Sequence, residues 1–309
     1  MQKGTNDRFP RAVSTFDKNL KASTVPNNNK ISAANQSIEL NMLYSNIRSL
    51  KNKISELNFV LSECNTDICC LTESWLNDTV LDSMISSNSY SVFRKDRPIN
   101  KMGGGVAIIC KNNPNFFYKR VDLPTRFHKL EIIAIDILLG TSNGTRIIVV
   151  YNPPDNLSDF SICQLLISAL MYIGNTDLSV CIFGDLNLPL MDWVNNWSPN
   201  NKSYVEFLSY FTNNSFVQVV DFATRGFNVL DVILTDNPQQ INNVDSLPPI
   251  GNSDHLTIVC KLVIDTDIEY NLTVEPLNVN VRDNYSNFSN YKFDKADWCN
   301  INTALSTID

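Results

Sequence analysis

From residue 38 to about 264 the apolar positions follow two periods, alternation and helical spacing, and predict strands and helices in mixed order. Residues 40–47 read as a strand ending at Ser45-Asn46. Leu50, Ile54, Leu57, Leu61 and Cys64 then recur at helical spacing, predicting an amphipathic helix over 49–64. The buried run Asp67-Ile68-Cys69-Cys70-Leu71 follows and delivers Glu73 and Trp75 just past its end, completing a β-α-β unit. Residues 90–94 read as a short strand. A polar loop with Arg94, Lys95, Arg97 and Lys101 follows, read equally well as a solvated surface or as a cationic edge to a site. Gly103-Gly104-Gly105 then turns into a strand over 106–110, without the spacing or the lysine of a phosphate-binding P-loop.

Residues 129–139 and 145–151 read as a hairpin, whose second strand is stopped by Asn152-Pro153-Pro154 and carries Tyr151 at its tip. Phe160, Cys163, Leu166, Leu170 and Ile173 mark a helix, and Tyr204, Phe207, Leu208 and Phe211 another. Strands are predicted over 178–183, 216–220, 229–234 and 256–263. Strands that alternate with helices in places and pair as hairpins elsewhere predict an α/β sandwich, two packed sheets with helices outside. It forms one domain over 38–264. Residues 1–37 read as a disordered polar tail, and 265–309 as a linker with at most one short helix.

Composition narrows the function without choosing it. The net charge of −7 and the sequence pI of about 4.9 argue against nucleic-acid affinity from charge alone, but clustered site carboxylates balanced by a divalent ion would give the same figures. Most of the eight cysteines (Cys69, Cys70, Cys110, Cys181 and Cys260 among them) sit inside apolar runs without zinc-ligand spacing, which suits a reduced intracellular protein. Neither a secretory signal nor a stretch of transmembrane length is present in the sequence.

Polar residues collect at the predicted strand ends: Asn46, Glu73, Tyr151, Asp185, Asn187, Asp231, Asp254 and His255. In Cys181-Ile182-Phe183-Gly184-Asp185-Leu186-Asn187 the glycine is expected to release the backbone into a turn, with Asp185 and Asn187 on one face. A carboxylate and a carboxamide there suit a hard cation and a phosphoryl oxygen. Asp231 interrupts an apolar run and needs a buried partner, which His255 can supply. The other histidine, His128, stands in a polar stretch and is expected at the surface.

The ordered series Ser45-Asn46-Ile47, Thr72-Glu73-Ser74-Trp75, Tyr151-Asn152-Pro153-Pro154, Gly184-Asp185-Leu186-Asn187, Leu230-Asp231-Val232-Ile233-Leu234 and Ser253-Asp254-His255 resembles the endonuclease/exonuclease/phosphatase family, with its DNase I-like fold. Within the family it is most similar to the endonuclease domains of non-LTR (LINE-type) retrotransposons of the jockey and chicken-repeat kind, through Ser45 to Leu50, Asp67 to Leu76, Asp192-Trp193 and Thr224-Arg225-Gly226. Lys295-Ala296-Asp297-Trp298 resembles the linker before a reverse transcriptase in such elements.

The resemblance implies a four-layer α/β sandwich with two mainly antiparallel sheets. It implies a metal-dependent DNA-nicking endonuclease that leaves a 3′-hydroxyl for reverse transcription. Glu73 would be the principal ligand of Mg²⁺ or Mn²⁺, with Asn46 and Asp254 lining the same site. Asp185 would orient or deprotonate the attacking water, and Asn187 would hold a phosphate oxygen. Tyr151 would contact the scissile phosphate or the leaving group, and His255, positioned by Asp231, would donate to the phosphate. Arg48 stands where abasic-site repair members carry an acidic residue and suits phosphate contact instead. The expected partners are double-stranded DNA and a reverse transcriptase domain, with no membrane, and the expected location is intracellular, nuclear when chromosomal DNA is the target. The alternatives are a phosphomonoesterase or phospholipid phosphodiesterase on the same site chemistry, or a catalytically silent remnant of an element.

Overall fold

A computed structural model describes residues 36–86, 89–97, 103–139 and 143–266. Almost all of the expected tail and linker lie outside these residues, as do Lys101 and the tip of the 129–151 hairpin. The first sheet runs in the order β11 (Ile241–Leu247), β12 (Thr257–Thr266), β1 (Gln36–Asn46), β2 (Ile68–Thr72), β4 (Val106–Lys111), β3 (Tyr90–Lys95). The second runs β5 (Phe116–Arg120), β6 (Glu131–Leu139), β7 (Asn143–Tyr151), β8 (Ser179–Asp185), β10 (Asp231–Thr235), β9 (Val217–Gln218). Each sheet has one parallel pair, β1 with β2 and β7 with β8, and is otherwise antiparallel. A parallel pair needs a crossover, and helices α1 (Ile54–Glu63) and α3 (Phe160–Gly174) supply it. A one-turn α2 (Asp82–Ile85) and the longer α4 (Lys202–Asn213) complete the α-helices of the described residues, which also hold three short 3₁₀ helices.

Strand parity builds the layers. Along β7, Ile147 and Val149 enter the core between the sheets, while Ile148 and Val150 enter the core under α3 and α4. Along β1, Leu40 and Met42 face the other sheet and Leu43 faces the core with Leu57 and Leu61 of α1. The result is the expected four-layer sandwich. Each fully buried side chain of Phe183 size contributes about 1.5–3 kcal/mol through apolar burial.

The same parity carries polar residues inward at one end. Tyr44 and Asn46 continue the inward face of Met42, Tyr151 that of Val149, Asp185 that of Phe183, and Asp231 that of Ile233. Cα pairing sets Glu131, Tyr151, Asp185 and Asp231 abreast across four strands of the second sheet. Asn46 and Thr72 are abreast in the first. The polar strand ends are therefore one end of the inter-sheet core.

Several elements differ from the sequence expectation for local reasons. The first helix starts at Ile54 rather than 49, because Arg48 and Ser49 take positive φ (43° and 77°) and the Ser49 and Leu50 amides donate to the Glu73 and Ser74 carbonyls. Gly184 lies inside β8 rather than opening a turn. A Cβ there would come within 2.3 Å of the Val150 carbonyl, so close approach of β7 demands glycine, and the chain turns at Asn187 (φ 50°). The expected strand over 216–220 contracts to two residues, and β5, β11 and α2 carry too weak a pattern to be read in advance.

Candidate active site

At this end both sheets contribute to one hydrogen-bonded cluster. From the first sheet, Asn46 Nδ2 donates to Asp185 Oδ2 at 2.9 Å and approaches Glu73 Oε1 at 3.5 Å. From the second, the Tyr151 hydroxyl donates to Glu73 Oε1 at 2.7 Å, while Trp75, past β2 of the first sheet, donates from Nε1 to Glu73 Oε2 at 3.0 Å. Glu73 and Trp75 both sit at positive φ (50° and 52°), an arrangement that costs about 1–3 kcal/mol per residue and persists only where surroundings enforce it. Here the enforcing contacts are the Ser49 and Leu50 amides on one side and the carbonyls of Gly104 and Gly105, which accept from Trp75 and Ser74, on the other.

Asp185 is buried, with Oδ1 accepting from the Asn187 amide at 3.0 Å. Asn152, just past β7, locks the following turn: its Nδ2 donates to the Leu186 carbonyl (3.0 Å) and its own carbonyl accepts from Asn187 Nδ2 (2.9 Å). Asp231 is fully buried. Its Oδ2 lies 2.6 Å from His255 Nδ1 and its Oδ1 accepts from the Tyr44 hydroxyl at 2.8 Å, so the Thr72 hydroxyl, 2.9 Å away, donates to Tyr44 in turn. Ser253 closes the arrangement by donating from Oγ to the Asn46 carbonyl (2.6 Å) and accepting from the His255 amide (3.2 Å). The buried partner that Asp231 requires is thus His255 together with Tyr44, while His128 is exposed.

Burial, with the charge of Asp231 next, pushes the Asp185 carboxyl up to about 8, against the lowering influence of His255 and of the Asn46 and Asn187 hydrogen bonds. For His255 burial acts downward, but the hydrogen bond and charge of Asp231 and the charge of Asp185 outweigh it, so the imidazole titrates above its ordinary value. Burial and the neighbouring Glu73 raise the Tyr151 phenol, which stays protonated and acts as a donor.

Asp254 stands apart from Glu73 in its contacts. It is a partly exposed carboxylate held between two guanidiniums, Arg48 at 3.1 Å and Arg225 at 2.7 Å, and despite some burial Arg225 brings its titration below the ordinary range. Of the described cations in residues 94–101, Arg94 pairs with Asp82 and Asp96, Arg97 pairs with Glu131, and Lys95 donates to the Phe127 carbonyl at 3.3 Å. That loop is therefore not a free cationic edge.

Two placements for a cation follow from the donors. Asp185, Asp231 and His255 each offer an atom within 4.8 Å of the others. Yet Nδ1 of His255 and both oxygens of Asp231 are already engaged, and all three residues are buried. The half-buried Glu73 carboxylate lies beside the Asn46 side chain, whose Nδ2 faces it and Asp185 Oδ2; rotation of that amide would turn Asn46 Oδ1 inward and make a set of oxygen donors around Glu73. Its chemistry fits a hard divalent ion, which would also offset the Asp231 charge that, after burial, raises the Asp185 titration.

Sequence reasoning passed over Tyr44, Glu131 and Ser253 as participants. Tyr44 was recoverable, because it shares strand parity with Asn46. Glu131 was not, since its register against Tyr151 depends on the hairpin.

The sequence profile of the endonuclease/exonuclease/phosphatase family matches residues 40–255. No curated protein sequence matches the chain. Among solved structures, the endonuclease domain of TRAS1, a telomere-specific non-LTR retrotransposon, is similar at 14% identity, with 72% of this chain and 98% of that one covered and a TM-score of 0.55. The AP endonuclease LMAP from Leishmania major is similar at 14% identity, covering 72% and 87%, with a TM-score of 0.57. An AP endonuclease from Archaeoglobus fulgidus gives 17%, 72%, 98% and 0.54 for the same measures.

Proposed function

Since the chain belongs to the endonuclease/exonuclease/phosphatase family, a family of phosphoester hydrolases, we propose that it is a divalent-metal-dependent endonuclease that nicks one strand of duplex DNA and leaves a 3′-hydroxyl. The observation that carries the reading is the meeting of the two sheet ends, in which Asn46 reaches Asp185 and Tyr151 reaches Glu73. It unites an anionic oxygen pocket with a buried Asp-His pair. The motif series shared with non-LTR element endonucleases favours DNA over other phosphoesters and priming of reverse transcription as the use of the nick.

In this reading Glu73 and Asn46 hold Mg²⁺ or Mn²⁺, with Asp254 at the rim tethered by its arginines. The ion, when bound, polarises the scissile phosphate and stabilises the leaving oxygen. Asp185 accepts the proton of the attacking water on a carboxylate that Asn46 holds at Oδ2 and the Asn187 backbone amide at Oδ1. With Nδ1 committed to Asp231, His255 has Nε2 as the nitrogen that donates to a non-bridging phosphate oxygen, and its raised titration favours the charged ring. Tyr151 donates to the phosphate or the departing oxygen once substrate displaces its bond to Glu73. Asn187 supplies its remaining amide hydrogen to a phosphate oxygen.

End chemistry tests the proposal. Plasmid nicked by the purified protein with Mg²⁺ should be extended directly by a DNA polymerase, with no phosphatase treatment. Nicks that need dephosphorylation before extension, or turnover confined to inositol phosphates or sphingomyelin, would overturn it.

A further inference from the structure

Beyond the residues assigned above, a ring of contacts joins Glu131 to both Glu73 and Tyr151. Glu131 opens β6 directly opposite Tyr151. Its Oε1 accepts from Nε of Arg97 (2.9 Å) and from Nη2, and its Oε2 accepts from the Gly105 amide. The guanidinium of Arg97 in turn lies over the Tyr151 ring, 5.9 Å from its centre. On the other side, the Gly104 and Gly105 carbonyls accept from the Trp75 and Ser74 amides, and the Trp75 indole and the Tyr151 hydroxyl each hold one oxygen of Glu73.

Both arms of this ring, through Tyr151 and through Trp75, end on the carboxylate that would bind the ion. The glycine turn is shaped for it: all three residues have positive φ, and a Cβ on Gly104 would lie 2.2 Å from Glu131 Oε2 and 2.3 Å from Arg97. Arg97 and Glu131 are both mostly buried, so their charges are spent on each other rather than on solvent or DNA.

We infer that Glu131 is a positioning residue for the metal site: through Arg97 and the Gly103–Gly105 turn it fixes the Glu73 carboxylate and the Tyr151 phenol. A carboxylate clamped by outer partners presents its oxygens at one orientation, and loss of such a partner costs about 10–100-fold in metal affinity or activity. The inference rests on the reading of Glu73 as a metal ligand, and its test is chosen to separate the two.

Mn²⁺ binding is measured by titration calorimetry on the wild type, Glu73→Gln and Glu131→Gln, each at a temperature where circular dichroism shows it folded. The wild type should bind, Glu73→Gln should abolish binding, and Glu131→Gln should weaken it about 10–100-fold although residue 131 touches no ion. Should Glu131→Gln fail to fold, the double variant Arg97→Gln/Glu131→Gln, which leaves no unpaired buried charge, carries the same expectation. Wild-type affinity in a folded Glu131 variant would overturn the inference while leaving the Glu73 reading intact. No Mn²⁺ binding by the wild type, or unchanged binding in Glu73→Gln, would overturn both.

Discussion

Asp231 and His255 meet through Oδ2 and Nδ1 at 2.6 Å inside the core. The bond fixes the imidazole's orientation and supports its protonated form. Asp231→Asn keeps the shape and removes the charge. Nicking should fall roughly 10²–10⁴-fold, the range spanned by positioned acid-base groups. Because Asp231 raises the His255 titration, residual activity in the variant should also decline at lower pH on the alkaline side. A pH–rate profile compared with the wild type checks both effects.

Linkage sets the sign of the stability change with pH. Asp185 titrates at about 8 in the fold against an ordinary 3.8, so between those values the native state holds a proton that the unfolded chain has lost, and stability falls as pH rises through that window. His255, raised above its ordinary 6.5, adds a loss of the same sign as pH climbs past 6.5. A divalent ion beside Asp185 favours the ionised form. Thermal melts should therefore show Mg²⁺ or Mn²⁺ raising the Tm more at pH 8 than at pH 5. An equal shift at both would argue against a cation next to Asp185.

Gly184 should tolerate no side chain. Gly184→Ala drives a methyl into the Val150 backbone carbonyl, a rigid neighbour, and should cost about 1–3 kcal/mol or more by urea unfolding. Since Asp185 is the next residue, activity should fall even in the folded fraction.

Much of this architecture was legible because strand parity and helical spacing are local. The β-α-β unit, the 129–151 hairpin and the run into Asp185 follow from alternation that burial on two faces enforces. The need of Asp231 for a partner also showed in advance, since a lone carboxylate in an apolar run is costly. What did not show depends on contacts between distant segments. The shortened first helix follows from the Glu73 and Ser74 carbonyls claiming the Ser49 and Leu50 amides, and Gly184 resembled a turn signal because the approach of β7 is invisible in one strand. Arg97 read as one of four cations of a loop that was either solvated surface or site edge, although its guanidinium is committed to Glu131.

Arg48 and Arg225 flank the site through a shared, exposed Asp254. Exposed pairs contribute only about 0–1 kcal/mol, so Arg48→Ala should leave the Tm nearly unchanged. If Arg48 contacts a phosphate, the variant should bind duplex DNA more weakly with little sequence dependence, and its salt slope should drop by about 1. Binding isotherms at several salt concentrations measure this.

The central claim is that Asp185, set between Asn46 and the Asp231-His255 pair, works with a cation held at Glu73. Conversion of supercoiled plasmid to open circle by the wild type and by Asp185→Asn, each with Mg²⁺ and with chelator, tests it most directly. The account predicts nicking by the wild type only when Mg²⁺ is present, and a loss of at least about 10²-fold in Asp185→Asn. Nicking that survives the chelator, or that Asp185→Asn sustains at the wild-type rate, would contradict it.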